Sequence, residues 1–184
     1  MDRRTFLATP LAAATAPAAA PVRFGVDLFS VRSQGWNAFQ HLDQCARWKA
    51  KVVHFSEIRF LGGLEEDHLK RVRAHAEKLG IELEIGMRSV CPSSKAFDIT
   101  QGTAEQQILD MVRAARTIGS PIVRAFLGTM ADRAGPVPIE GHIRNTVKVL
   151  RAVRSQVLDA GLRIAIENHA GDMQARELKT LIEE

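Results

Sequence analysis

The sequence predicts an α/β protein built around a parallel β-sheet. Short runs of strand-forming residues alternate with amphipathic helical patterns along the whole chain. The strand runs begin near Arg23, Val52, Ile81, Ile122 and Leu162. Their spacing of roughly 30 to 40 residues is the size of a strand–helix unit, and strands joined through helices pair in parallel.

A helical pattern follows each strand run, at residues 36–49, 64–79, 104–118, 139–160 and 174–184. Three of these patterns end on glycine, the residue that most readily takes the left-handed conformation at a helix terminus: Gly80, Gly119 and Gly161. The next strand then begins within a few residues, whereas the links from strand to helix are long. Long loops therefore gather at the carboxyl ends of the strands, where parallel α/β folds bind ligands.

Composition favours one globular domain with a hydrophobic core. The chain has 184 residues, of which 46% are apolar and 25% charged. The formal net charge is +4, and the Lys and Arg residues are spread over the helices rather than concentrated in a stripe, which argues against a nucleic-acid partner. Cys45 and Cys91 are far apart and lack the spacing of metal ligands, and we expect them to be unpaired.

The N-terminus resembles a twin-arginine export signal. Arg3 and Arg4 precede Phe6 and Leu7, and an alanine-rich stretch follows. That stretch is too short to span a bilayer, so we expect no stable membrane anchor. These features predict a signal peptide at residues 1–20, one domain at residues 22–184, and a periplasmic or exported protein.

The strongest functional signal lies at the end of the fifth strand run, which closes on Glu167 and continues with Asn168 and His169. Glutamate is depleted in strands and costly to bury without a partner. A carboxylate that closes a strand, with an imidazole two residues on, can supply oxygen and nitrogen ligands to a metal. The alternatives are an ion pair of Glu167 with Arg124 or Arg163, and a polar cluster that caps the next helix.

Strand parity places other titratable residues on the same face as Glu167. Successive side chains of a strand point to opposite faces, and Asp27, His54, Arg88 and Arg124 share one face while apolar residues fill the other. Such a row indicates a polar interior around a charged ligand or metal. We expect His54, Arg88 and Arg124 to contact substrate. The alternatives are a satisfied core histidine and two counter-ions for nearby glutamates.

Three further residues follow strand ends. Arg32 comes after the first strand, and we expect it to contact substrate. Glu57 follows the second strand and could serve the same pocket, although its parity is opposite to that of His54. Asp172 precedes the last helical pattern, and we expect it to cap that helix rather than to serve the site.

The sequence lacks the motifs of several other function classes. It contains no GxGxxG after the first strand, no GxxxxGK[ST] phosphate loop, no HExxH and no GxSxG. The interleaving of basic and aromatic residues that is typical of nucleic-acid binders is also missing.

Two segments resemble a known family. Residues 25–32 read Gly-Val-Asp-Leu-Phe-Ser-Val-Arg and are similar to the opening strand of exported sugar phosphate isomerase/epimerase proteins, in the xylose isomerase-like TIM-barrel superfamily. Residues 164–169 read Ile-Ala-Ile-Glu-Asn-His and are similar to the fifth strand of that family. The resemblance covers residues 22–184 and implies a parallel (β/α) TIM barrel.

The resemblance also implies a function. It predicts a barrel that holds one divalent ion (Mn²⁺, Mg²⁺, Co²⁺ or Zn²⁺) and acts on a small sugar or polyol. Glu167 matches the glutamate that is a metal ligand and, in epimerases, moves the proton next to the sugar carbonyl. Asn168 and His169, with Arg88 and Arg124, would orient substrate hydroxyls.

The predicted barrel is incomplete, because a full (β/α)8 barrel needs around 250 residues and the chain supplies about five of the eight units. The family's further ligands, an Asp or Glu, a His and a Glu, come from strands that would lie beyond Glu184. We therefore expect a truncated chain with little or no activity alone. Unpaired strand edges also make an oligomer compatible with the sequence.

Two other functions are compatible with this fold. One is an exported sugar-binding barrel without catalytic activity. The other is an endonuclease-type metal hydrolase, since such barrels carry a similar Glu-Asn-x-Ala-Gly run. The predicted third strand lacks the histidine ligands of those hydrolases, and export would remove the protein from genomic DNA.

Overall fold

A computed structural model describes residues 22–184, and the predicted signal peptide at residues 1–20 lies outside the described residues. The described chain forms one five-stranded sheet in the order β1-β2-β3-β4-β5, with every neighbouring pair parallel. The strands are β1 (Gly25–Asp27), β2 (Val52–Phe55), β3 (Glu82–Ser89), β4 (Ile122–Phe126) and β5 (Arg163–Glu167). The predicted α/β class and parallel sheet are confirmed.

The helices alternate with the strands as the sequence predicts. They are α1 (Ala38–Arg47), α2 (Ile58–Leu61), α3 (Glu66–Leu79), α4 (Ala104–Ile118), α5 (Met130–Arg133), α6 (Ile139–Asp159) and α7 (Ala175–Glu183). Two 3-10 helices, Leu28–Gln34 and Ile99–Gln101, lie in the links that follow β1 and β3. The short helices α2 and α5 also lie in strand-to-helix links, and the sequence patterns did not indicate them.

Left-handed glycines end three helices, as predicted. Gly80, Gly119 and Gly161 have φ values of 66°, 84° and 70°. The glycine N–H groups bond back to carbonyls of the last helical turn, so the chain leaves each helix and enters the next strand directly.

The strand register confirms the predicted faces. His54 pairs with Asp27 on one side and with Glu84 on the other, while Arg124 pairs with Gly86 and Ala165. These residues share one face, which we call the polar face. The opposite face is apolar and buried under the helices: Val53, Phe55, Leu83, Ile85, Val123 and Ala125.

The two outer strands, β1 and β5, each have one edge that no other strand of residues 22–184 covers. Both cysteines are buried and free, in agreement with the sequence. No helix between residues 22 and 184 combines the length and the apolar character that crossing a membrane requires.

Candidate functional site

A cavity of about 550 Å³ opens at the carboxyl ends of the strands, and we call it the rim cavity. It is lined by residues that follow or end β1, β2, β3, β4 and β5: Asp27, Phe29, Ser30, Glu57, Arg59, Arg88, Arg124, Phe126, Thr129, Glu167 and His169. The predicted convergence of polar side chains at the loop-bearing edge of the sheet is therefore present. Four of the predicted site residues line it: Glu167, His169, Arg124 and Arg88.

Glu167 and Arg124 form an ion pair at the mouth of the sheet. The Arg124 Nε lies 2.7 Å from Oε2 of Glu167, and Arg124 Nη1 donates to the carbonyl oxygen of Met87 at 3.1 Å. The arginine side chain is 14% exposed, whereas the glutamate side chain is 41% exposed. Arg124 is thus anchored in the sheet, and the Glu167 carboxylate remains open to the rim cavity. The ion pair and the rim position, which the sequence offered as alternatives, occur together.

His169 is held in one orientation by two neighbours. Its ring stacks on Phe126, with centroids 4.0 Å apart and an interplanar angle of 15°. Its Nδ1 lies 3.1 Å from the carbonyl oxygen of Gly128. Because a carbonyl oxygen can only accept, Nδ1 is the donor of this hydrogen bond, and Nε2 has no hydrogen-bond partner among residues 22–184.

Asp172 fixes the loop that carries His169, and the expectation that it caps the last helix is wrong. The residue is fully buried, and its carboxylate accepts from the backbone N–H of Gly128, His169 and Met173 at 3.1, 2.9 and 2.6 Å. Burial raises the pKa of Asp172, against the lowering effect of these three donors. Gln174 is the residue that caps α7.

His54 lies on the polar face but is not among the residues that line the rim cavity. Its Nδ1 is 3.4 Å from Oε2 of Glu84, too poorly aligned to be a hydrogen bond, and its ring packs beside Gly86. Burial is the main reason that the pKa of His54 is lowered, and the carboxylates of Asp27 and Glu84 oppose this effect. The geometry favours a histidine packed within the sheet over one that touches a ligand.

The remaining predicted site residues differ in whether they reach the rim cavity. Arg88 reaches the rim cavity and forms no ion pair among residues 22–184. Arg32 turns back on Phe29, donating to its carbonyl oxygen at 2.8 Å with the guanidinium 4.2 Å from the ring centroid, and it does not line the cavity. Asn168 is exposed and also lies outside the lining.

Sequence parity misplaced Glu57 and missed Arg59. Strand β2 ends at Phe55, so the alternation of faces does not extend to Glu57, which bends into the rim cavity. Arg59 Nε lies 2.8 Å from Oε2 of Glu57, and the two side chains form an ion pair. Asp27 also lines the cavity, and its Oδ1 accepts from the Ser56 hydroxyl and the Phe29 N–H, each at 2.8 Å.

The described residues do not form a complete metal site. Between residues 22 and 184, no three His, Cys, Asp or Glu side chains cluster closely enough to hold a metal ion. The open oxygen of Glu167 is one candidate ligand at the rim cavity. One carboxylate in an ion pair does not satisfy the coordination that a catalytic divalent ion takes from protein side chains.

The described chain has part of a TIM-barrel fold, and the solved structures that share this fold include one named D-psicose 3-epimerase and one named xylose isomerase domain protein. The sequence alone matches no protein-family model and no curated protein. Five parallel strands alternating with helices align over nearly the whole described chain with solved barrels of this fold. The predicted fold class is thereby confirmed.

Three solved structures illustrate the likeness. D-psicose 3-epimerase with D-tagatose, from Clostridium cellulolyticum H10, is 14% identical with a TM-score of 0.65 over 88% of this chain and 59% of its own. The IolI protein with a bound zinc atom is 13% identical, with a TM-score of 0.66 over 88% and 58%. A xylose isomerase domain protein from Planctomyces limnophilus is 15% identical, with a TM-score of 0.60 over 87% and 58%. The chain thus spans about three fifths of these structures, and the likeness establishes the fold.

Proposed function

We propose that the protein acts on a sugar as a metal-dependent isomerase or epimerase. The observation that carries this proposal is the position of Glu167, which ends β5 with an exposed carboxylate at the rim cavity beside the anchored Arg124. An epimerase that binds D-tagatose and a zinc-bound protein share the fold. The predicted export through the twin-arginine route, to the periplasm or beyond, remains part of the proposal.

Glu167 is the residue that we assign to proton transfer next to the sugar carbonyl. A general base must reach the proton that it removes, and the carboxylate is the acidic group at this end of β5 that is open to the cavity. Arg124 holds that carboxylate in place through Nε. The guanidinium of Arg88 and the free Nε2 of His169 are suited to donate to and accept from substrate hydroxyls.

A bound divalent ion would supply polarisation of the carbonyl oxygen, which makes the neighbouring proton easier to remove. Residues 22–184 offer Glu167 as one ligand for such an ion and do not complete its coordination. We therefore assign no step of the reaction to the ion, and we expect this chain alone to bind Mn²⁺ weakly and to be nearly inactive.

Deuterium exchange provides a test that detects even very slow turnover. The chain is incubated in D₂O with Mn²⁺ and a ketohexose, and NMR follows deuterium at the carbons next to the carbonyl. We expect slow exchange above the protein-free rate, lost in Glu167→Gln and kept in Glu140→Gln, which changes an exposed glutamate of α6. Exchange that is absent in the native chain, or equal in Glu167→Gln, would contradict the proposal.

A non-catalytic sugar-binding protein is the second candidate. The ion pair with Arg124 favours it, because this contact already engages the Glu167 carboxylate. This alternative predicts sugar binding without any exchange and with an affinity that Glu167→Ala leaves unchanged. Isothermal titration of the native chain and this variant distinguishes the two candidates.

A further inference from the structure

A second cavity shares a wall with the rim cavity. Its volume is about 260 Å³, and it lies between β3, α2, α4 and the 3-10 helix Ile99–Gln101; we call it the side cavity. Glu57, Arg59 and Arg88 line both cavities. Because the same three side chains border both, the two cavities are neighbours, and a ligand that crosses this shared wall would contact both.

The surface of the side cavity is divided between apolar and polar groups. Ile58, Leu64, Met87 and Met111 supply the apolar part, and amides, carboxylates, two guanidiniums and one hydroxyl supply the rest. A sugar ring presents C–H groups on its faces and hydroxyls around its edge. A cavity with an apolar surface and a few convergent polar groups suits such a ring.

Most polar groups of the side cavity are already bound within the protein. Glu57 pairs with Arg59, and Asp110 pairs with Arg113. Asp98 accepts from the Thr100 N–H at 3.0 Å and from the Gln101 amide at 2.9 Å. The amide of Gln107 donates to two backbone carbonyls at 2.8 and 2.9 Å.

Arg88 is the exception. Among the ion pairs and side-chain hydrogen bonds of residues 22–184, none involves its guanidinium, although it stands in the wall between the two cavities. A guanidinium carries five N–H donors in a fixed planar fork. A ligand that crosses this wall would meet these donors with its oxygen atoms.

Charge decides which oxygen atoms fit. Three carboxylates line the side cavity (Glu57, Asp98 and Asp110), and Arg59, Arg88 and the Arg113 that pairs with Asp110 balance them, a formal sum of zero. A phosphate or carboxylate group placed there would lose its hydration without a net positive charge to replace it. Hydroxyl and ether oxygens carry no such penalty.

We propose that the two cavities together bind a neutral saccharide of at least two units. One unit occupies the rim cavity, the second lies on the apolar surface of the side cavity, and Arg88 donates hydrogen bonds to oxygens near the junction. The inference rests on the proposed function for the identity of the rim unit. It deepens that function by excluding a phosphorylated sugar and requiring a longer one.

Methionine methyl groups report on the side cavity directly. The full chain is labelled with ¹³C at its methionine methyls, which are assigned through single Met→Leu variants. Lactulose (a neutral ketose disaccharide), D-fructose and D-fructose 6-phosphate are then titrated separately. Met87 and Met111 line the side cavity, and Met173, buried between α6 and α7, serves as the internal control.

We expect lactulose to shift the Met87 and Met111 signals and to leave Met173 unchanged. Lactulose should bind about tenfold or more tightly than fructose 6-phosphate, because the side cavity disfavours an anion. Arg88→Ala should weaken lactulose binding by about tenfold, the loss expected for hydrogen bonds from a charged donor. Arg116→Ala, which removes an exposed arginine elsewhere on α4, should leave the affinity unchanged.

Three results would overturn the inference. They are fructose 6-phosphate binding as tightly as lactulose, saturation by lactulose with Met111 unmoved, and no binding of any of the three sugars. The native chain alone gives these results, so the conclusion does not depend on the folding of Arg88→Ala. If lactulose shifts the methyl signals but no deuterium exchange occurs, the proposed catalysis is wrong and the two-unit site stands. If fructose takes up deuterium but the Met111 signal does not move with lactulose, the catalysis stands and the two-unit site is wrong.

Discussion

Two buried aspartates connect successive loops at the rim of the sheet. Asp172 follows β5 and accepts the N–H of Gly128 after β4. Asp132 follows β4 and accepts the N–H of Lys95 at 2.7 Å and the hydroxyl of Ser94 at 2.9 Å, both after β3. Burial opposes ionisation of Asp132, but these donors together hold the pKa of Asp132 below its ordinary value. Each carboxylate thus fastens its own loop to the preceding one.

Asp172→Ala should be strongly destabilising. The substitution leaves three N–H groups, two of them buried, without their acceptor, and we expect the free energy of unfolding to fall by about 3 kcal/mol. Urea denaturation followed by circular dichroism measures the change. Asp159→Ala, an exposed position at the end of α6, should change it by less than about 0.5 kcal/mol. Equal effects of the two substitutions would contradict the role assigned to Asp172.

Gly86 is needed for close packing across the polar face. A Cβ at this position would lie 3.1 Å from the Ser56 carbonyl oxygen and 3.2 Å from the Arg124 carbonyl oxygen. Both contacts are shorter than a normal van der Waals contact, and only a shift of the backbone would lengthen them. We expect Gly86→Ala to lower the free energy of unfolding by about 1 to 3 kcal/mol, the usual cost of overpacking. An unchanged urea midpoint would show that the sheet accommodates the added methyl group, and would contradict the role assigned to Gly86.

Single residues at the rim were predicted less well than residues inside strands. Glu167 and Arg124 sit within a strand, where alternation fixes the face of each side chain. Arg32 and Asp172 sit in loops, where the outcome depends on neighbours such as Phe29 and Gly128. Gly128 lies 44 residues before Asp172 in the sequence, and local sequence patterns carry no signal for a contact between residues so far apart.

At the scale of elements, the spacing of strand and helical patterns and the glycines that end helices were sufficient to predict the five strands and the helix that follows each of them. The start of β2 and β4 and the whole of α4 agree with the sequence prediction to the residue. Helix α5 was missed because four residues between Gly128 and Pro138 are too short to show a helical period. Its existence depends on a capping box between Thr129 and Asp132 and on contacts with α7.

Arg133 of α5 and Glu177 of α7 link two of these elements. The Arg133 Nη2 donates to Glu177 Oε1 at 3.1 Å in a two-point contact, and Glu177 is only 9% exposed. The hydrogen bonds from Arg133 are the main reason that the pKa of Glu177 is lowered. A carboxylate whose pKa is lowered by folding stabilises the native state above its unfolded pKa, and this contribution disappears as the pH falls through the folded value.

The pH dependence of stability should therefore differ in Glu177→Gln. At pH 7 we expect the variant to be less stable by about 1 to 2 kcal/mol. The difference should shrink as the pH falls below about 4, where the glutamate of the unfolded chain is already protonated. Urea unfolding from pH 3 to pH 7 measures this, and a difference independent of pH would indicate that packing rather than charge explains it.

At the scale of the whole molecule, the sheet formed by residues 22–184 has two outer edges that no strand of this segment covers. Within residues 22–184, strands β1 and β5 pair on one side only. Phe24, which leads into β1, is 56% exposed. Open strand edges beside exposed apolar side chains favour association with another chain.

We expect the protein to associate at high concentration through the β1 edge. Phe24→Lys should reduce association, because a charge beside an open edge opposes pairing with another strand. Ile182→Lys on α7, at a residue that is 62% exposed, is the matched control away from the edge and should have a smaller effect. Sedimentation velocity over a concentration series measures both, and a native chain that stays monomeric throughout would contradict the expectation.

The carboxylates of Asp132 and Asp172 also bear on how such a barrel can be re-engineered. The loops after β4 and β5 are each hydrogen-bonded to the preceding loop through these aspartates, so replacing only one of the loops after β3, β4 and β5 removes at least one of these contacts. To change substrate specificity with loops from another barrel, two adjacent loops should therefore be exchanged together, along with the aspartate that joins them.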